Sequence, residues 1–105
     1  LNTARKGNAA ECFVGDDLRG RGFTTGSRRH IGGAGDWIAI HPGGDVWLVE
    51  VKATKTRFGG FGPADRQAMK EALLPLGGSR YLAHVTGSCG RFKVTYVHER
   101  DWPGG

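Results

Sequence analysis

Cysteine is scarce in this chain, and the two that occur, Cys12 and Cys89, stand far apart with no CxxC spacing. That excludes a small disulfide-built scaffold and a paired-cysteine zinc site. Two isolated thiols in a chain of intracellular type are expected to be reduced and buried. No apolar run approaches the ~20 residues that cross a bilayer, and no signal-peptide pattern is visible. We therefore expect an intracellular protein, cytoplasmic or nucleoid-associated, with no membrane partner. The histidines, at 30, 41, 84 and 98, show neither H-x₃-H nor HNH-type spacing; His41, His84 and His98 read as structural. No internal repeat is present. With 105 residues, 38% of them hydrophobic, the chain supports one domain over residues 1–105 and not two. So small a core leaves a monomer marginal, which favours a homodimer.

Acidic residues are also in deficit. Fifteen Lys and Arg face ten Asp and Glu, for a net charge of +5 and a pI near 9.7. The bases gather at 5–6, 19–21, 28–29, 52–57 and 66–70. Such a balance favours a polyanionic partner, nucleic acid ahead of an anionic membrane surface. Glycine, by contrast, is abundant at 19 residues, and six of these fall in two basic loops, 28–35 and 54–62. Glycine lets backbone amides approach a phosphate closely.

Periodicity places the elements. Ala10, Phe13, Val14 and Leu18 repeat at helical spacing and predict a helix over 3–19, capped by Asn2 or Thr3 and stopped by Gly20 and Gly22. Gly15 weakens that helix. Short strands are predicted at 23–27 and 36–41. The turn Pro42-Gly-Gly-Asp45 then leads into a strand from Val46, so these last two form an antiparallel hairpin. After the second basic loop, Pro63 opens a helix with its body at 64–74, ended by Gly77-Gly78. Strands at 81–85 and 92–97 follow, and Trp102 pins back the tail. The order α-β-β-β-α-β-β predicts an α/β fold, a central mixed five-stranded sheet flanked by helices.

Val46-Trp-Leu-Val-Glu-Val-Lys52 carries the chemistry. Positions 46–49 are apolar on both faces, as in a central strand. Glu50 and Lys52 then share one face, about 6–7 Å apart. A carboxylate and an ammonium there are costly to desolvate, which marks a candidate site. Asp36 opens the preceding strand. Asp36 and Glu50 offer hard oxygen ligands for Mg²⁺, with Mn²⁺ able to substitute, and the Val51 carbonyl is a candidate third ligand. Lys52 would position or deprotonate a water, or neutralise charge developing on phosphorus. Glu11 is a candidate outer ligand, directly or through water.

Glu11, Asp36 and Glu50-Val-Lys52 together resemble the PD-(D/E)XK nuclease pattern in order and spacing, with Gly35 where the motif name has proline. Within that superfamily the chain is most similar to the archaeal-type Holliday junction resolvases, a phage-encoded member included. The likeness lies in Arg5-Lys6-Gly7 leading to Glu11, in Gly22-Phe23-Thr-Thr-Gly26-Ser27, and in Asp65-Arg66-Gln67. It covers roughly residues 5–97. The resemblance implies a restriction-endonuclease-like fold. It also implies a homodimeric endonuclease that nicks opposed strands of a four-way DNA junction with Mg²⁺ or Mn²⁺. Ser27 would then reach the DNA backbone near the cut, and Gln67 would help order the site.

Arg5, Lys6, Arg28, Arg29, His30, Lys55 and Arg57 flank the metal-site candidates and are expected to contact phosphates. Phe58 and Phe61 are candidates for stacking or wedging at a junction centre, with packing on the sheet or on the partner subunit expected for at least one of them. Two alternatives share these residues: a nuclease of the same fold acting on linear, branched or nicked DNA, and a non-catalytic DNA-binding module.

Overall fold

The computed structural model describes residues 3–28 and 33–104, with side chains from residue 6 onward. The elements are α1 (Thr3–Gly20), β1 (Thr24–Ser27), β2 (Trp37–Ile40), β3 (Val46–Ala53), α2 (Pro63–Glu71), β4 (Ser79–Thr86) and β5 (Lys93–His98). A 3₁₀ turn at Glu99–Asp101 follows. The predicted element order therefore holds. The strands form one sheet in the order β1-β2-β3-β4-β5. All neighbours are antiparallel except β3 and β4, which run parallel. That pair needs a crossover, and α2 supplies it. No helix among the described residues is long and apolar enough to cross a membrane.

Alternation along β3 divides the molecule into layers. Val49 and Val51 join Ala39, Ala83 and Val85 on one face, where Ala10, Val14 and Leu18 of α1 pack. Leu48 points the other way, into a cluster with Phe61, Met69, Leu82, Val97 and Trp102. Both faces of β3 are thus covered, as the apolar run from Val46 predicts. The Trp102 ring meets Phe61 edge-on at 4.9 Å, and its Nε1 donates to the Val97 carbonyl at 2.9 Å. The tail is pinned as expected.

Several boundaries and placements differ from the sequence reading. α2 ends at Glu71, with Ala72 already extended (φ −65°, ψ 137°), well before Gly77. Pro75 drives its predecessor out of helical conformation, and the Arg80 guanidinium takes the carbonyls of Met69 and Ala72 that a longer helix would use. β4 is longer than predicted, and Phe92 precedes β5 and packs on Phe13 with ring centroids 5.5 Å apart. Both cysteines are free, as expected, but both are exposed rather than buried. Cys12 lies on the outward side of α1, and Cys89 sits in the turn between β4 and β5, where no core element covers it. Phe61 is fully buried, which removes it from any DNA-wedging role.

Gly15 has a packing reason rather than a helical one. A Cβ there would lie 2.6 Å from the Trp37 ring. That ring is held in turn, because its Nε1 donates to the Glu11 carbonyl at 2.9 Å. Alanine favours a helix over glycine by ~1 kcal/mol, yet overpacking costs about 1–3 kcal/mol. Gly15→Ala is therefore expected to lower the urea midpoint of unfolding. A raised midpoint would show that the α1–Trp37 contact yields freely.

Candidate active site

Asp36 stands immediately before β2, and the register Trp37↔Val49 sets it beside Glu50. Three hydrogen bonds fix it. Its N–H donates to the Val49 carbonyl at 2.7 Å, and its carbonyl accepts from Arg28 N–H at 3.0 Å. Its Oδ2 accepts the N–H of Val51 at 2.7 Å. The carboxylate is thus latched onto the main chain between Glu50 and Lys52. Gly35 makes the approach possible. Its φ of +94° suits glycine, and a Cβ there would come within 2.6 Å of Leu48 Cδ1, a fully buried side chain.

Glu50 and Lys52 share the α2 face of β3, with Lys52 Nζ 3.4 Å from Glu50 Oε2. Burial pushes the Glu50 carboxyl up to about 7, and the nearby Asp36 carboxylate pushes the same way. Lys52 and the Gly35 N–H, which donates to Glu50, act in the opposite sense and only partly offset it. Two acids facing each other with limited solvation favour losing one charge or gaining a cation. The Lys52 ammonium is one such charge. A divalent cation is a stronger one, and carboxylate oxygens are its preferred donors.

Asp36 and Glu50 open into a cavity of about 520 Å³, lined also by residues 33–35, Asp65, Ala68 and Met69. Among the described residues, no three His, Cys, Asp or Glu side chains group as a ligand set. A cation here would have the Asp36–Glu50 pair as side-chain ligands, with the Val51 main chain as candidate third ligand and water for the rest. From sequence, Asp65 stands only within the Asp65-Arg66-Gln67 likeness and has no part in the site. An acid in the first turn of a helix is ordinary dipole compensation, and only the packing of α2 over β3 brings it to this cavity.

The remaining sequence candidates are distributed around this centre. Glu11 is half-buried on α1, the layer covering the opposite face of β3, and it does not line the cavity. Ser27 ends β1 and pairs with Trp37, one residue from Asp36. Arg28 is half-buried, and its Nε donates to the Ala34 carbonyl at 3.0 Å, so it braces the strand approach to Asp36. Lys6, Lys55 and Arg57 are exposed. Phe58 packs partly against the Leu48 cluster. Gln67 is exposed on α2 and donates to Glu71 Oε2 at 2.9 Å, one turn along and outside the cavity. Arg29, His30 and the Arg5 side chain lie outside the described residues. The other histidines have structural partners. His41 accepts from Gly43 N–H, His98 accepts from Arg100 N–H, and His84 is buried against the Thr54 carbonyl.

No protein-family model matches the chain, and no curated protein matches it significantly.

The Glu50 environment has a pH signature. Its folded value of about 7 lies above the ordinary 4.5, so folding favours the protonated acid. That contribution is complete below pH 4.5 and is lost as pH rises toward 7. The difference corresponds to about 3 kcal/mol. Glu50→Gln removes the ionisation. In EDTA, the variant is expected to gain stability over the parent between these limits and to hold the gain above them. Urea unfolding at acid and alkaline ends of the window checks this; parallel profiles for the two proteins would show that Glu50 ionises without cost.

Proposed function

We propose that the protein is a divalent-cation-dependent endodeoxyribonuclease of the PD-(D/E)XK type, acting on branched DNA as a junction resolvase. The observation that carries this reading is the latched Asp36 beside a desolvated Glu50, opening with it into one cavity, with Lys52 within reach of Glu50. Hydrolysis of a phosphodiester needs a cation, an oriented water and positive charge near phosphorus. Asp36, Glu50 and the Val51 main chain would hold Mg²⁺ or Mn²⁺, which supplies Lewis-acid polarisation of the phosphodiester when bound. Asp36 is oriented by Val51 N–H before any ligand arrives. Lys52, kept close to Glu50, presents its ammonium where it either orders the attacking water or meets the charge on phosphorus. Water adds to phosphorus, the bridging oxygen leaves with the bonding electrons, and a proton passes from the water toward the leaving group or solvent.

The basic balance of the chain supports DNA as the substrate, with Arg28 bracing the site and Lys6, Lys55 and Arg57 on open surface. In the same reading the assembly is a homodimer, since paired nicks in opposed strands need two sites related by a two-fold axis. Leu73 and Leu76, fully exposed after α2, supply apolar surface for such a contact. The same centre would also serve a nuclease cutting linear, branched or nicked DNA.

Asp36→Asn tests the reading cleanly, because the amide oxygen still accepts the Val51 N–H while the metal-binding charge is gone. A labelled four-way junction, a splayed arm and a linear duplex are incubated with Mg²⁺ or with EDTA. The parent is expected to nick the junction in pairs only with Mg²⁺. Asp36→Asn should lose on the order of 10³-fold in rate, several kcal/mol of charge stabilisation, while still binding the junction in EDTA. Equal cutting of linear duplex would move the substrate to the same-fold nuclease reading. No cutting of any substrate by the parent would sink the nuclease assignment.

A further inference from the structure

At the carboxyl ends of the parallel strands β3 and β4 lies a second cavity, of about 410 Å³, separate from the one that Asp36 and Glu50 line. Its walls are Lys6 of α1, Thr54 and Lys55 just past β3, and Val85, Thr86 and Gly87 at the end of β4. Its size falls within the roughly 300–1,000 Å³ of small-ligand pockets. We propose that this cavity is a phosphate-binding site, which anchors a phosphate of the nucleic acid away from the one being cut.

The lining selects the ligand's chemistry. Two lysines from different elements converge on the cavity, and no carboxylate lines it, so it suits an anion and repels a cation. Neither lysine has an ion-pair partner among the described residues. The first turn of α1 holds no acid that would offset Lys6. No aromatic ring lines the cavity, so it has no platform on which a base would stack. Lysine ammonium groups and the Thr86 hydroxyl instead match phosphate oxygens, which carry no sequence information.

The rim is held before any ligand binds. His84, 5% exposed, is the one buried polar or charged residue among the described residues. It stands in register with Lys52. Its Nε2 lies 2.8 Å from the Thr54 carbonyl; a carbonyl only accepts, so that nitrogen carries the proton. Thr54 Oγ1 donates to the Thr56 carbonyl at 2.8 Å, which tightens the chain around Lys55. On the other wall, Gly87 has φ +91°, and a Cβ there would fall 2.5 Å from the Arg91 carbonyl oxygen, so the turn that closes the cavity requires glycine. Thr54 follows Lys52 by two residues, which sets the pocket around the end of β3 from the Asp36–Glu50 cavity. A polynucleotide bears a phosphate at every residue, so a strand held at one site has others to offer here. Assignment of the phosphate to nucleic acid rests on the nuclease reading; the pocket's selectivity for phosphate does not.

The test is an amide-shift titration of the ¹⁵N-labelled protein in EDTA, with pyrophosphate in one arm and an oligothymidylate lacking terminal phosphates in the other. The expected result is saturable shifts of the Lys55, Thr86 and Gly87 amides in both arms. Lys6→Gln with Lys55→Gln should weaken oligonucleotide binding at least roughly tenfold and lower its log–log salt slope by about one. Shifts with pyrophosphate alone would keep the phosphate site and overturn its assignment to a strand. Amides that stay in place with both probes, or an unchanged affinity and slope in the double variant, would overturn the site. No metal is present in either arm. The titration therefore reads binding alone: a parent that fails to cut any DNA with Mg²⁺ would defeat the nuclease reading, while saturable pyrophosphate shifts would leave the pocket standing.

Discussion

Glu50 lies in the central strand of the sheet with its side chain largely withdrawn from water, and most of the surrounding geometry answers to that placement. An ionised carboxylate there must be met by hydrogen bonds or positive charge. Gly35 brings a main-chain N–H to it, and that close approach over Leu48 leaves no room for a Cβ. Lys52 returns from the same face to offer an ammonium at 3.4 Å. Asp36 then adds a second negative charge where the first is already expensive. The latch between Asp36 and Val51 N–H holds that unfavourable pairing in place. Such a pair costs the sheet stability unless a positive charge joins it or one of the acids takes up a proton.

The two helices divide the work between the faces of β3. α1 is committed to packing: Ala10, Val14 and Leu18 cover Val49 and Val51, and Gly15 receives the Trp37 ring. Fixing Trp37 fixes the start of β2, and with it Asp36 next in the chain. α2 covers the other face less completely. Met69 reaches the core, but the first turn of the helix, with Asp65, stands back from Glu50 and leaves the cavity open. Arg80 ends α2 early by taking its terminal carbonyls. The open face is thus a consequence of where α2 begins and stops.

Much of this was legible from one strand. The apolar run from Val46 predicted a central position, and period two put Glu50 and Lys52 on one face without further information. The turn at Pro42–Asp45 made β2 and β3 a hairpin, which drew Asp36 toward Glu50. What remained hidden was what depends on tertiary contact. Gly15 looked like a weak point in a helix, because its reason is a tryptophan 22 residues away. Asp65 had no site role in the sequence reading, because its place on the cavity depends on the α2 crossover. Local pattern overran the end of α2, since the competing donor is Arg80 from the next strand. The cysteines were expected inside from residue type alone, and helical phase put Cys12 outside.

Charge is distributed by site rather than spread evenly. The cavity at Asp36, Glu50 and Asp65 is acidic and by itself repels a phosphate. The pocket at Lys6 and Lys55 is basic, and the chain as a whole carries +5. Long-range attraction therefore favours a polyanion at the surface whether or not a cation is bound. Entry of a phosphate into the acidic cavity is a separate matter, because it requires a cation to reverse the local field. Under the proposed reading, binding and cutting draw on opposite charges in different places. Nucleic acid would be held first by groups that need no metal, and the scissile phosphate would become attractive to Asp36 and Glu50 only through the cation they hold. The raised Glu50 value adds a proton as competitor for that cation, so the same desolvation that makes the pair want a metal also makes its affinity fall as the pH drops below about 7.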